Sequence, residues 1–322
     1  MVEGAEVRKQ QLTGVLALAV AIGLWASFAL TIRGIGHSTL TPVDAAMIRF
    51  ATPVVLLSPW IPQTLRALRT ARPAVLGLLL VGGLPHFLLS TFGGELTSAA
   101  LVGVLLPGTA PLFVAAILFF SWRERLPLVK TAALGLIVVG VVATAALTGS
   151  SATSIGVVVL TAGGLAWAVY TIGLRMTHLG APGVALVVCA PSAVVAFVLA
   201  ACGFLPSHLL TVSASLADVA GFTILQGVGT GIVSTLSFAY AVRSLGSAVA
   251  STAGALSPVL TTVLAVPLFG EPITAAIWIA VCSIVGGVLW FNLSRSSSRA
   301  PRTRRASTLS DTDVATLSGA DR

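Results

Sequence analysis

Residues 110–128 read APLFVAAILFFSWRERLPL, and residues 257–275 read SPVLTTVLAVPLFGEPITA. In each stretch a proline stands thirteen positions before a glutamate, Pro111 before Glu124 and Pro258 before Glu271. The shift of 147 that joins them runs without a gap from residues 78–141 onto 225–288, and it also superposes Leu78 on Leu225, Gly82 on Gly229, Ser90 on Ser237, Ile137 on Ile284 and Gly140 on Gly287. A shift of 142 extends the likeness upstream, placing Gly14 on Gly156, Trp25 on Trp167 and Arg33 on Arg175. The chain is an internal duplication. Duplicated apolar segments are typical of transporter architecture.

Hydrophobic residues make up 56% of the 322 residues and charged residues 9%, with a mean hydropathy of +1.02. That balance excludes a soluble domain and makes the bilayer the main solvent. A spanning helix needs about 20 apolar residues, because about 1.5 Å per residue must cover about 30 Å of hydrocarbon. Ten segments qualify, at residues 12–32, 43–61, 73–92, 98–120, 128–148, 154–174, 182–204, 218–240, 247–268 and 274–293. They are apolar all round rather than alternating, which excludes a barrel of strands. The first follows Arg8 and Lys9 but is long and lacks a small-residue cleavage site, so it is expected to remain as an uncleaved helix. The expected fold is an all-α integral membrane protein of ten transmembrane helices. Its parts are an N-terminal tail (1–11), a first five-helix repeat (12–148), a short linker (149–153), a second repeat (154–293) and a basic, disordered tail (294–322).

Basic residues set the expected orientation. With the N-terminus in the cytoplasm, Arg66, Arg69, Arg72, Arg123, Arg125, Lys130, Arg175, Arg243 and the arginines of the tail all fall on the cytoplasmic side, and both termini are cytoplasmic. Arg33 alone falls in an outside connection, and Arg49 lies within the second segment. Five crossings per copy is an odd number, so the two repeats enter the membrane from opposite faces and are inverted. The turn at Glu124 carries Arg123, Arg125 and Lys130, whereas its counterpart at Glu271 carries Gly270 and Pro272 and no base, as opposite faces require. The tail is expected to rest near anionic lipid headgroups at about 1 kcal/mol per base. No folded soluble surface gathers these charges, so nucleic acid is not an expected partner. Cys189, Cys202 and Cys282 lie in apolar segments, which argues against both a disulfide framework and a metal site. No nucleotide-binding motif is present and no cofactor is expected; the energy source is an ion gradient or the solute's own gradient. Monomer and homodimer are equally compatible with the apolar faces.

Polar residues at depth carry the functional information, because a central charge costs about 2.5–3.5 kcal/mol to insert. Arg49 lies early in the second segment. Either it snorkels to the headgroups or pairs with Asp44, or it is a fixed positive charge facing the bundle and able to hold a substrate carboxylate. His86 sits on a stripe of Gly82, His86, Ser90, Gly94 and Thr97, which is either a packing face or the place of a titratable group that couples a proton to transport. A matching stripe of Gln226, Thr230, Ser234, Ser237 and Ala241 marks the eighth segment, where the glutamine fastens two helices or bonds a ligand. Trp25, Trp167, Tyr170 and Tyr240 offer rings with one polar atom that suit a cavity wall, and Trp25 and Trp167 lie deeper than Trp60, Trp122, Trp278 and Trp290, which sit near segment ends as interfacial anchors. The cavity candidates are therefore Trp25, Arg49, His86, Ser90, Trp167, Tyr170, Gln226, Thr230 and Ser234. Pro111 and Pro258 interrupt the helical hydrogen-bond ladder and are candidates for symmetric, gating bends. Glu124 and Glu271 end segments that aim at opposite faces. They are expected to accept hydrogen bonds from the first amides of the fifth and tenth helices, a structural role. Glu95, at the outer end of the third segment, reads as a solvated terminal charge.

Ten helices in two inverted repeats, Arg49 and Phe50 early in the second, the prolines of the fourth and ninth, and the endings WRERL (122–126) and FGEPI (269–273) together resemble the EamA-type family of the drug/metabolite transporter superfamily. The likeness covers about residues 12–293. Arg123 departs from it, since a glycine is common at that place and Gly270 provides one in the second copy. The resemblance implies a multi-pass carrier of the bacterial cytoplasmic membrane that moves a small organic solute, often outward and often an amino acid or related metabolite. Two competing classes are a membrane enzyme acting on lipid-linked substrates, which would need a convergent acid/base pair or metal cluster, and a non-transporting scaffold or sensor.

Overall fold

Prolines and glycines decide where the apolar runs break, and the breaks position the site. The structure, a computed structural model, describes residues 2–123, 127–147 and 150–294, and every regular element among them is helical. The first helix, α1 (Val2–Gly34), absorbs the expected N-terminal tail from Val2 onward. The second expected segment is not continuous. It divides into α2 (Pro42–Leu56), a 3-10 turn at Ser58–Trp60 and α3 (Ile61–Leu68), with a bend of 62° between the two arms. Pro59 and Pro62 lack the N–H that a continuing helix requires, and Pro59 also disfavours helical backbone at Ser58. The third divides as well, into α4 (Pro73–Val81) and α5 (Leu84–Leu96), separated at Gly82–Gly83 just ahead of Pro85. Ser192 Oγ accepts from the Leu84 amide at this break, at 3.0 Å.

Long helices follow, α6 (Ala99–Trp122), α7 (Leu128–Leu147), α8 (Ser151–Met176) and α9 (Ala181–Ala201). The remaining three segments are all interrupted. The eighth comprises α10 (Leu216–Phe222), a π-helical stretch Thr223–Val233 and α11 (Ser234–Leu245). The ninth is α12 (Ser247–Gly254) and α13 (Leu256–Phe269); the tenth is α14 (Ala275–Ala280), π-helical Val281–Val285 and α15 (Gly286–Leu293). Among the described residues nine helical stretches are long and apolar enough to cross a membrane, or ten if α2 and α3 are taken as one bent span. Alone, α2 reaches roughly 22 Å at about 1.5 Å per residue, short of a full crossing. Phe120, Val158, Val194 and Leu236 all project outward and are exposed. Such a surface belongs in lipid, and the chain is a multi-pass membrane protein.

The repeated prolines do not bend their helices alike. Pro111 lies with Pro107 inside an uninterrupted α6, whereas the equivalent of α6 breaks at Ala255, three residues before Pro258. The residues ahead of that break, Ser251, Thr252 and Gly254, are weak helix formers, and Pro258 withholds the amide that the Gly254 carbonyl would accept. The C-cap residue has the same left-handed conformation in both copies. Arg123 has φ 53° and Gly270 has φ 66°, both left-handed. The arginine thus adopts glycine's geometry, at a strain of roughly 1–2 kcal/mol.

Contacts recur with the two halves exchanged. α1 packs along α11 and the π-helical stretch ahead of it, while α8 packs along α5 and α4. A Cβ on Gly14 would lie 2.7 Å from Ser244, and one on Gly156 would lie 2.5 Å from Thr97, which is the position equivalent to Ser244. Gly140 faces Ile284 at 2.9 Å in the same sense, and Gly287 faces Ile137 at 2.6 Å.

A buried carboxylate fastens one end of the bundle. Thr41 and Asp44 form a capping box at the start of α2. The Asp44 carboxylate also accepts from Ser207 Oγ at 2.6 Å, from the amide of His208 at 2.9 Å and from that of Leu209 at 3.3 Å. Asp44 is fully buried, so Asp44→Ala strands several donors, at about 1.5–3 kcal/mol for each bond to a charged acceptor. A clearly lowered melting temperature of the purified protein is expected, partly restored in Asp44→Asn. Unchanged melting of Asp44→Ala would contradict this assignment.

Candidate functional site

The site begins where α2 meets the π-helical stretch. Gly227 and Gly231 lack side chains where α2 approaches, so that a Cβ on Gly227 would lie 2.6 Å from Thr52 and one on Gly231 3.1 Å from Pro53. This close approach brings Arg49 against Gln226 and Thr230. Arg49 Nη1 donates to Gln226 Oε1 and, at 2.7 Å, to Thr230 Oγ1. Gln226 in turn donates through Nε2 to Thr31 Oγ1 and to the Phe28 carbonyl. A single fully buried amide thereby joins α1, α2 and the π-helical stretch. The guanidinium carbon lies 4.9 Å from the centre of the Phe28 ring and 5.7 Å from that of Phe87, close enough for cation–π attraction.

Arg49 has no acidic partner among the described residues. Asp44 is committed to its own donors, and among the described residues the one ion pair is Arg33 with Glu271. Nor does Arg49 reach toward headgroups, because it lines a cavity of about 680 Å³ between the two halves. Its Nε and Nη2 make no hydrogen bond and are not sealed inside the protein.

His86, on α5, is held by Nδ1, 3.0 Å from the Gly163 carbonyl. A carbonyl only accepts, so Nδ1 carries the proton, and in the neutral form of the ring Nε2 is the acceptor. The ring lies nearly parallel to Phe28, 6.2 Å away, and 5.3 Å from Trp167, which continues to Tyr170 at 5.2 Å.

Of the expected cavity residues, Trp25, Arg49, His86, Trp167, Thr230 and Ser234 line the cavity. Three do not. Ser90 is fully buried and turns back to the His86 carbonyl at 2.7 Å. Tyr170 stands behind Trp167, against Gly82, where the missing side chain makes room for its ring. Gln226 lies behind Arg49. Pro258 is on the cavity wall, whereas Pro111 is not and its neighbour Pro107 is. The sequence reading missed Phe28, Phe238, Thr171 and Arg175. Phe28 follows Trp25 by three positions on one helical face, and Arg175 is the counterpart of Arg33; either regularity could have pointed to them. The cavity reaches Arg175 in the last turn of α8, and no carboxylate of the described residues lines it.

The opposite end is clasped by Glu271. Its Oε1 accepts from Arg33 Nε at 2.8 Å and its Oε2 from the Ala99 amide at 2.9 Å. The amide thus belongs to the first turn of α6 and not to the helix that follows Glu271, as the sequence reading expected, because Thr274 already caps α14. Glu124 lies outside the described residues, as do residues 295–322 of the basic tail. Trp60, Trp278 and Trp290 are outward-facing and exposed, as is Glu95.

A solved crystal structure with 20% sequence identity covers 88% of this chain and 98% of its own, with a TM-score of 0.55, so the fold is shared. No curated protein matches the sequence significantly. The sequence profile of the EamA-like transporter family matches residues 154–293, so the second half of the chain is similar to that family.

Proposed function

We propose that the protein is a secondary transporter that carries a small organic metabolite, an amino acid or related compound, outward across the bacterial cytoplasmic membrane by alternating access. The observation that carries this reading is a central cavity with unlike ends. It extends to Arg175 at one end and is clasped by Arg33, Glu271 and the Ala99 amide at the other. The equivalent contacts of Gly14 on Ser244 and Gly156 on Thr97, and of Gly140 on Ile284 and Gly287 on Ile137, support two inverted repeats, whose relative rocking would open the clasped end and close the other. With the orientation that the basic residues favour, Arg175 faces the cytoplasm and the cavity is open inward. A solute then enters from the cytoplasm, which suits export.

Metabolite profiles of the medium and cytoplasm, taken from cells expressing the protein and from matched cells without it, test this directly. Selective accumulation of a small set of solutes in the medium is expected. Depletion from the medium would reverse the direction, and identical profiles at equal membrane levels would contradict the reading.

A further inference from the structure

The cavity has a charge imbalance that restricts what it can hold. Arg49 is at its depth and Arg175 at its end, and among the described residues that line it none is acidic. Two of the three Arg49 nitrogens make no hydrogen bond, while Nη1 is fixed by Gln226 and Thr230, so the fork is oriented with donors to spare. A planar guanidinium presented in this way matches a carboxylate, which accepts two parallel N–H bonds. In the closed, water-poor state of a transport cycle that guanidinium needs a counter-charge, and the protein provides none among the described residues. An ammonium group in the same place meets no carboxylate and two guanidinium groups. Around the charge the wall is aromatic and aliphatic, with Trp25, Phe28, Trp167, Phe238, Ile284 and Val288.

We infer that the cavity selects a monocarboxylate with an apolar, aromatic-sized body and no ammonium group, its carboxylate held by Arg49. This rests on the transporter reading and, within the class of amino acids and related compounds, takes the related organic acids that lack an ammonium group.

Three probes with one phenyl body separate the possibilities: phenylpropanoate, phenylalanine and phenylethylamine. Binding to the full-length protein in lipid nanodiscs is read from quenching of tryptophan fluorescence, since Trp25 and Trp167 line the cavity. The acid is expected to bind at least about tenfold more tightly than the amino acid, and the amine not at all, as expected for a paired rather than an opposed charge. In Arg49→Gln the acid's affinity is expected to fall about tenfold or more, and Arg49→Lys to keep the ranking with weaker binding. The wild-type ranking stands whether or not Arg49→Gln folds. Tighter binding of phenylalanine or of the amine would overturn the inference, as would undiminished acid binding in a folded Arg49→Gln. Flux of the probes through proteoliposomes separates the two levels. Acid binding without flux of any probe counts against transport and leaves the anion site standing, whereas flux of phenylalanine alone leaves transport standing and removes the anion site.

Discussion

Glu271→Ala is expected to abolish most transport while leaving the protein folded and inserted. The carboxylate joins Arg33 at the end of α1 to the first amide of α6, at 2.8 and 2.9 Å, and α1, α6 and α13 are three of the helices around the cavity. Both partners are only partly exposed, 27% for Arg33 and 13% for Glu271, so the bonds are not those of a freely solvated surface pair. Hydrogen bonds to a charged group are worth about 1.5–3 kcal/mol each, and losing two shifts the balance between the proposed access states by about a hundredfold or more. A cysteine placed at Ala29, on the cavity wall, reports the change in a background without Cys189, Cys202 and Cys282. Labelling by an impermeant maleimide added from the Glu271 side should rise severalfold in Glu271→Ala, and Arg33→Ala should act in the same direction. Because both substitutions break one contact, the double variant should add little to Glu271→Ala. Unchanged labelling and full transport in Glu271→Ala would reduce the clasp to a surface contact.

Gly164→Leu is expected to be the most disruptive single substitution in the bundle. Where α8 crosses α6, a Cβ at this position would collide with Thr109 Oγ1 and lie 3.1 Å from the Leu106 carbonyl. Backbone cannot yield as a side-chain end can, and overpacking of this kind costs about 1–3 kcal/mol or more. The same stretch of α6 contributes Leu106, Pro107 and Gly108 to the cavity wall, so a wedge here displaces the site as well as the helix. A melting temperature lower by several degrees and little remaining transport are expected, with Gly164→Ala affected less but measurably. Gly135→Leu is the control. Nothing lies within 4 Å of a Cβ there, and replacing a mid-helix glycine gains roughly 0.5–1 kcal/mol, so it should be neutral or stabilising. Equal behaviour of Gly164→Leu and Gly135→Leu would show that α6 and α8 do not meet as described.

The helical runs were legible in the sequence because burial in lipid demands an unbroken apolar surface, which composition records directly. Their interruptions were less so. The Ser58-Pro59 and Gly82-Gly83-Leu84-Pro85 breaks were written in residues that limit helix, yet apolar content alone carried the reading across them. The π-helical widening at Thr223–Val233 depends on how α1 and α2 seat against it, and nothing local announces it. In the site, Arg49, His86, Thr230 and Ser234 stood out because polar groups are costly in a membrane and therefore informative. Phe28 and Phe238 did not, because an aromatic residue in a membrane helix faces lipid, a neighbouring helix or a cavity with the same composition. Glu271 was recognised by its repetition, but its partners, Arg33 and the Ala99 amide, are 238 and 172 positions away in the chain. Only the folded bundle brings them together.

The most direct test of carrier activity is solute flux across a sealed membrane with no other protein present. Proteoliposomes containing the purified chain are loaded with a cell metabolite extract and followed by mass spectrometry, beside liposomes without protein and liposomes carrying Glu271→Ala at equal density. Protein-dependent loss of a narrow set of solutes, largely absent with Glu271→Ala, is the predicted result. Retention of every solute by vesicles in which the wild-type protein is folded and inserted would contradict the account.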